Sequence, residues 1–367
     1  MLTYAYIASG GGITQNLLNQ AFGSAESAVD IGRTSGSLIF CFILAAFVWL
    51  STKAVDRFTT VLIVGMGALG THVAEGLVRA GIQELTIVDR DYIEYSNLQR
   101  QTLFTESDAD RMLPKVVAAQ DHLRHIRSDI KMNIYIEHVD AQFLEQYATS
   151  VDLIIDATDN FETRQLINDF SYRYRIPWIY GGVVQSTYVE TAFIPGQTPC
   201  FNCLMPQLPV INLTCDTVGV IQPAVTMTTS FQLRDALKIL IGKQIPTKLT
   251  YGDIWENTHC SFGYSKMRRD DCPTCGKNAS FPYLYAHSTS YATLCGRDTV
   301  QYENKDITKK VLVDFLTALD IRYHENQYML VFEFKKHRIV YFEGGRMLIH
   351  GTTKKSEAIH LINQLFG

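Results

Sequence analysis

Residues Val61 to Gly70, VLIVGMGALG, constrain the fold more than any other stretch of the chain. Four apolar, mostly β-branched residues run into Gly65-x-Gly67-x-x-Gly70, and a helical pattern from Thr71 to Val78 follows at once. Such a run predicts a buried strand, a tight turn and a helix start. Glycine suits the turn because it accepts positive φ and lets backbone N–H groups approach a phosphate, while the helix N-terminus adds a favourable partial charge. A second strand, Leu85 to Asp89, ends about twenty residues on in a carboxylate able to hold ribose hydroxyls. The unit signals a bound nucleotide. A βαβ unit without a ligand and a nicotinamide enzyme are its competing readings.

A chain of 367 residues, 47% of them hydrophobic, buries a large core and suggests two domains. Its net charge of −4 with mixed signs supplies no basic field for nucleic acid, so phosphate binding must be local. Eight cysteines (41, 200, 203, 215, 260, 272, 275 and 295) read better as metal ligands and reactive thiols of a cytoplasmic enzyme than as a disulfide framework.

Residues 1–57 differ in character from the rest. A stretch of small and polar residues precedes Leu38 to Leu50, thirteen consecutive apolar residues. Thirteen is short of the roughly 18–20 needed to cross a bilayer. The late position, Asp30 and Lys53 fit a cleavable signal poorly. A buried helix and a weak membrane anchor both stay open, the soluble reading being favoured by the chemistry downstream. From Phe58 to about Lys243 the pattern alternates: strands at Val61–Val64, Leu85–Val88, Ile134–His138, Val151–Asp156 and Trp178–Tyr180, with helices at Pro114–Arg127 and Asn160–Tyr174. This predicts an α/β fold with a doubly wound, mainly parallel, Rossmann-like sheet whose ligand lies at the carboxyl ends of the strands. A helix is expected at Thr226–Leu240. The last eighty or so residues read as a small α+β domain, with helices at Lys309–Leu319 and Ser356–Phe366 and strands at Tyr328–Phe334, Arg338–Phe342 and Arg346–His350. It holds no cluster of catalytic residue types, so its role is interaction or stability. The expected divisions are 1–57, 58–285 and 286–367.

Several residues carry candidate chemistry. Arg100 offers a planar fork for phosphate oxygens, and Lys115, placed at a helix start by Pro114, a mobile point charge. Either could equally be a solvated surface residue. Asp156 and Asp159 follow an apolar strand, where an acid beside phosphates commonly holds Mg²⁺; Asp159 could instead cap the helix that follows. Cys200-x-x-Cys203 and Cys272-x-x-Cys275 together supply four thiolates for one tetrahedral Zn²⁺, a structural site with no open position for catalysis. Redox pairs are the alternative, although neither lies at a thioredoxin-like strand-to-helix junction. Cys215 lies in a Gly/Asp/Thr-rich stretch, where a thiol can act as nucleophile or sulfur acceptor or simply pack.

Taken together, Gly65-x-Gly67-x-x-Gly70, Asp89, Ser96-Asn-Leu-Gln-Arg-Gln101, Pro114-Lys115, Ala157-Thr-Asp159-Asn160 and the two cysteine pairs make the chain resemble the MoeB/ThiF family. These are adenylyltransferases of sulfur-carrier proteins, related to the ubiquitin-activating enzymes. The resemblance covers about residues 58–285, and the C-terminal domain looks like that of the Gram-positive members. It implies ATP over the turn of Gly65, Gly67, Ala68 and Gly70, ribose on Asp89, and phosphates held by Asn97, Arg100 and Lys115. Ser96, Gln99 and Asn160 belong to the same site, and Asp159 would carry Mg²⁺. The carboxylate of a ubiquitin-like carrier ending in Gly-Gly would attack the α-phosphate, leaving an acyl-adenylate that later accepts sulfur from a cysteine desulfurase or other donor. A MoaD-type carrier for molybdopterin is the first expectation and a ThiS-type carrier for the thiazole of thiamin the alternative. Cys215 matches a loop cysteine that bonds the carrier in some members. The resemblance also implies a homodimer. Two departures stand out: Ala68 replaces a glycine common in the family, and the arginine-bearing helix that relatives place before the first strand is missing. Arg33 and Arg57 lack its context, which predicts impaired catalysis and leaves a non-catalytic carrier-binding scaffold as a further reading.

Overall fold

The computed structural model describes residues 60–206, 218–286, 298–366 and the backbone of 291–294. The expectations for residues 1–57 and for Cys215 lie outside the described residues. Within those residues no helix is long and apolar enough to cross a membrane.

The first sheet has eight strands in the order β3-β2-β1-β4-β5-β6-β7-β8. Its parallel part comprises β1 (Thr60–Val64), β2 (Glu84–Val88), β3 (Lys131–Tyr135), β4 (Leu153–Asp156) and the start of β5 (Trp178–Val184). Strands β1 and β4 carry continuous apolar runs, Val61–Val64 and Leu153–Ile155, and β2 is apolar apart from Glu84 and Thr86, because both faces of the sheet are covered. Helix α1 (Ala68–Ala80) follows β1, α2 (Lys115–Ile126) leads to β3, α3 (Ala141–Tyr147) to β4, and α4 (Phe161–Tyr174) to β5. Phe143 and Leu144 of α3 and Leu166, Ile167 and Phe170 of α4 pack on Leu62, Ile154 and Trp178 to form the core of one face. Helix α5 (Gln222–Leu240) runs against α1, β5 and β6.

Three antiparallel strands extend this sheet beyond the expected five: β6 (Thr187–Phe193), β7 (Lys248–Asp253) and β8 (Thr258–Gly263). All six residues of β8 are exposed, so it carries no hydrophobic pattern and its pairing with β7 comes from tertiary structure alone. Strand β3 begins and ends three residues before the expected Ile134–His138. As the sheet edge it needs no unbroken apolar run, and Met132 rather than Ile136 pairs with Leu85.

The C-terminal domain is a six-stranded antiparallel sheet in the order β11-β12-β13-β14-β10-β9, where β9 is Tyr291–Leu294, β10 Thr299–Glu303, β11 Tyr323–Glu325, β12 Met329–Phe334, β13 His337–Phe342 and β14 Arg346–His350. Helices α6 (Lys309–Ala318) and α7 (Lys355–Phe366) cover one face over Leu330, Phe332, Ile339, Tyr341, Met347 and Ile349. The opposite face presents Met329, Val331, Val340, Phe342 and Leu348 to Tyr92, Met112 and Ile136 of the part built on the first sheet. The alternation read in these strands is thus a sheet buried on both sides.

Candidate active site and metal centre

The turn after β1 is shaped by close approaches. Gly65 has φ +97°, and a Cβ there would meet the Ala157 carbonyl oxygen at 2.7 Å; one on Gly70 would meet the Gly65 oxygen at 2.0 Å. The turn therefore closes tightly on the end of β4, and α1 starts without a side-chain cap at Gly67. Amides left without a partner at a helix start favour an anion.

Asp89, just past β2, accepts from the Met66 N–H at 2.6 Å through Oδ2 and from the Asp91 N–H at 2.7 Å through Oδ1, tying the glycine turn to the segment that follows β2. Burial raises its carboxyl group above the usual range, opposed by Lys115. Lys115 is buried at the start of α2, with Nζ 3.4 Å from Asp91 Oδ2. Arg100 is buried as well and donates to the Ser96 carbonyl at 2.9 Å.

Gly65, Gly67, Ala68, Asp89, Arg100, Lys115, Asp159 and Asn160 line one cleft of about 530 Å³ at the carboxyl ends of the parallel strands. That volume lies within the usual range of small-molecule and cofactor sites. Gly70, Ser96, Asn97 and Gln99 do not line it. Ser96 and Gln99 are exposed, Gly70 lies against the Gly65 carbonyl within the turn, and Asn97 is buried with its Oδ1 accepting from the Glu94 N–H at 3.1 Å. The cap of α4 is Asn160, whose Oδ1 accepts from the Thr163 N–H at 2.8 Å, so Asp159 is not committed to capping. Asp156 is fully buried outside the cleft, bound by Arg164 Nε at 3.0 Å and by the Thr158 amide at 2.9 Å. Asp159 is therefore the carboxylate of the pair that the cleft offers to a cation.

Several lining residues carry no sequence signal of their own. Arg164 reaches the cleft between the rings of Phe161 and Tyr180, with its guanidinium 5.2 and 5.0 Å from their centroids. Arg90 donates to His138 Nδ1 at 2.9 Å; burial first and the Arg90 charge second hold that imidazole neutral, its pKa pulled down to about 3. Arg90 and His138 lie 48 positions apart, and only the β2–β3 pairing brings them together.

The second cluster is Cys200, Cys203, Cys272 and Cys275, all buried, with every pair of Sγ atoms within 4.8 Å. Cys200 and Cys272 approach to 3.4 Å, as do Cys203 and Cys275. Four Zn–S bonds of about 2.3 Å in a tetrahedron separate their sulfurs by about 3.8 Å, so this donor set fits the ion. Contact with Cys200 lowers the Cys203 and Cys272 thiols, while contact with their neighbours raises those of Cys200 and Cys275, so the four share their protons unequally. Around the cluster, Asn202 donates to Thr274 Oγ1 at 2.7 Å, Thr274 donates to Asp169, and Asp169 Oδ2 accepts from the Tyr283 N–H at 2.8 Å. The knuckle is thereby fastened to α4, the helix that follows Asp159.

Residues 50–275 match the ThiF family, and residues 1–98 match the tryptophan/tyrosine permease family. The chain is similar to the sulfur carrier protein ThiS adenylyltransferase of Bacillus subtilis, 39% identical over 310 residues that span 83% of this chain and 92% of that protein. It is 34% identical to the molybdopterin-synthase adenylyltransferase of Escherichia coli over 221 residues, 59% of this chain and 87% of that protein. A stretch of 66 residues is 94% identical to the tryptophan-specific transport protein of Haemophilus influenzae, 18% of this chain and 16% of that protein. Among solved structures, Escherichia coli MccB with ATP shares the fold, with a TM-score of 0.54 and 22% identity over 62% of this chain and 69% of that one. The two family matches overlap over residues 50–98, a stretch that includes the break in character near residue 57.

Proposed function

Because this chain belongs to the ThiF family, we propose that it adenylylates the C-terminal glycine carboxylate of a ubiquitin-like sulfur-carrier protein, using ATP and releasing pyrophosphate. The observation that carries this reading is the convergence of Arg100, Lys115 and Asp159 on one cleft beside the glycine turn. Attack of a carboxylate on a phosphate brings two anions together, so the site must neutralise charge and align the reactants. The start of α1 and Lys115 receive the phosphates, Arg100 spreads its fork across them, and Asp89 takes the ribose. Asp159 holds Mg²⁺, which when bound neutralises phosphate charge. The carrier's terminal carboxylate then displaces pyrophosphate from the α-phosphorus, and the acyl–phosphate bond stores the energy for later sulfur transfer. No covalent bond to the enzyme is needed for this step. The four cysteines hold a structural Zn²⁺, consistent with their complete burial and their lack of an open position. The enzyme is a homodimer working in the cytoplasm, where ATP and reduced thiols are available.

For the carrier, a ThiS-type protein is favoured over the MoaD-type expectation, because the Bacillus subtilis relative is 39% identical over 83% of this chain, against 34% over 59% for the molybdopterin-synthase adenylyltransferase. The deciding experiment is carrier-dependent ATP–pyrophosphate exchange with each carrier separately. Faster exchange with a ThiS-type carrier supports the assignment, faster exchange with a MoaD-type carrier reverses it, and exchange with neither removes adenylylation by this chain. A second reading, a carrier-binding scaffold without turnover, is favoured by residues 1–98 resembling a permease where an arginine-bearing helix is expected. Carrier binding without exchange supports that reading.

A further inference from the structure

Between Asp89 and Lys115 the chain forms only a 3-10 turn at Tyr95–Asn97 and a short helix at Glu106–Asp110, yet this segment carries Asp91 and Arg100 and delivers Lys115. From within, the segment is held by backbone bonds from Ile93 to Leu113 and from Lys115 to Asp91 and by capping boxes at Glu94 and Thr105. The C-terminal domain grips it from outside at two places. Arg338 on β13 pairs with Glu94 at 2.9 Å and lies over the Tyr92 ring at 5.3 Å. Asn326 Nδ2 donates to the Arg111 and Met112 carbonyls at 2.9 and 3.1 Å, immediately before the turn into α2.

A third grip reaches nearer the cleft. Arg346 on β14 stands beside Phe342, its guanidinium 3.8 Å from that ring centroid, on the sheet face turned toward the nucleotide-binding part. Its Nη2 donates to the Ile136 carbonyl at 3.5 Å, and the next two residues, Glu137 and His138, line the cleft. Its Nη1 is buried without a hydrogen-bond partner among the described residues. Burial draws the Arg346 pKa down to about 10, while the charges of Asp91, Asp89 and Glu303 oppose that and Arg90 adds to it. A guanidinium supplied by another domain therefore lies within the field of the two acids at the end of β2.

We propose that the C-terminal domain is a positioning element of the nucleotide site, and that Arg346 is its positioning residue. Arg346 holds the backbone just past β3, next to the cleft residues Glu137 and His138, and adds a positive charge to the surroundings of Asp89 and Asp91. Asp89 then stays oriented toward ribose hydroxyls while Lys115 remains available to phosphate. The inference rests on the nucleotide reading of the cleft.

The test uses the full chain with Arg346→Met and Arg346→Lys, measuring equilibrium binding of ATP with Mg²⁺, KM for ATP and kcat in carrier-dependent exchange, and Tm. The expected result is roughly tenfold weaker ATP binding and a matching rise in KM for Arg346→Met, kcat changing less, with Arg346→Lys recovering most of the loss. Unchanged ATP binding in Arg346→Met overturns the proposal while leaving the nucleotide site intact. Equal loss of KM and kcat that Lys does not rescue assigns Arg346 to stability alone and also overturns it. No ATP binding by the unaltered chain removes the nucleotide reading itself, and this proposal with it. Should Arg346→Met not fold, Arg338→Glu and the exchanged pair Glu94→Arg/Arg338→Glu decide: weaker ATP binding in the first and recovery in the second support the clamp, and unchanged binding in the first overturns it.

Discussion

At the scale of single residues, the site works by partition of charge. Asp156 and Asp159 are three positions apart, but the sheet buries one against Arg164 and turns the other into the cleft. Arg100 is held by the Ser96 carbonyl while facing the cleft, so Arg100→Ala should lower exchange by about a hundredfold with Tm nearly unchanged. Initial-rate exchange beside a melting curve checks both halves; an unaltered rate would count against the phosphate role. His138 gives a pH dependence. Its folded-state pKa of about 3 lies below the ordinary 6.5, so between those values the unfolded chain binds a proton that the folded chain does not. Its contribution is full above about 6.5 and is lost as pH falls toward 3. Denaturant midpoints measured from pH 7 to pH 4 should fall less steeply in His138→Asn than in the unaltered chain.

At the scale of elements, the cysteine cluster and the C-terminal sheet do comparable work, each making contacts with a segment outside the regular strands. The cysteine cluster joins the turn at Phe201–Leu204 to the knuckle at 272–275 and, through Asn168, Asp169 and Thr274, to α4. One zinc per chain is expected by metal analysis. Cys272→Ser should abolish it and lower Tm by several degrees, because closing a loop of about seventy residues through the ion stabilises the fold and the serine leaves an incomplete ligand set. Protein carefully purified without zinc and melting at the same temperature would contradict this. The parallel strands were legible because burial on both faces demands unbroken apolar runs. The antiparallel extension was not, since β6 to β8 pair through backbone groups and β8 faces solvent throughout.

At the scale of the whole molecule, two kinds of sequence are joined. Residues 50–275 match the ThiF family and residues 1–98 a permease family, the two overlapping over 50–98. If a missing arginine limits turnover, replacing residues 1–57 with the matching segment of the Bacillus subtilis relative should raise exchange by about a hundredfold. An unchanged rate would show that the rest of the chain suffices. The glycine turn, the strand-end acid, Arg100, Lys115 and the cysteine spacing could all be read directly, because each is a local pattern whose chemistry depends on residue type and short-range geometry. The sequence by itself therefore determined the nucleotide-binding fold, the kind of reaction and the four cysteines. Tertiary structure alone decided which carboxylate faces the cleft, that Asn160 rather than Asp159 caps α4, that His138 meets Arg90, and that Arg346 of the C-terminal domain reaches the Ile136 carbonyl next to the cleft residues Glu137 and His138. Those outcomes depend on pairings tens to hundreds of residues apart, set by sheet order and domain packing, and no local pattern encodes them.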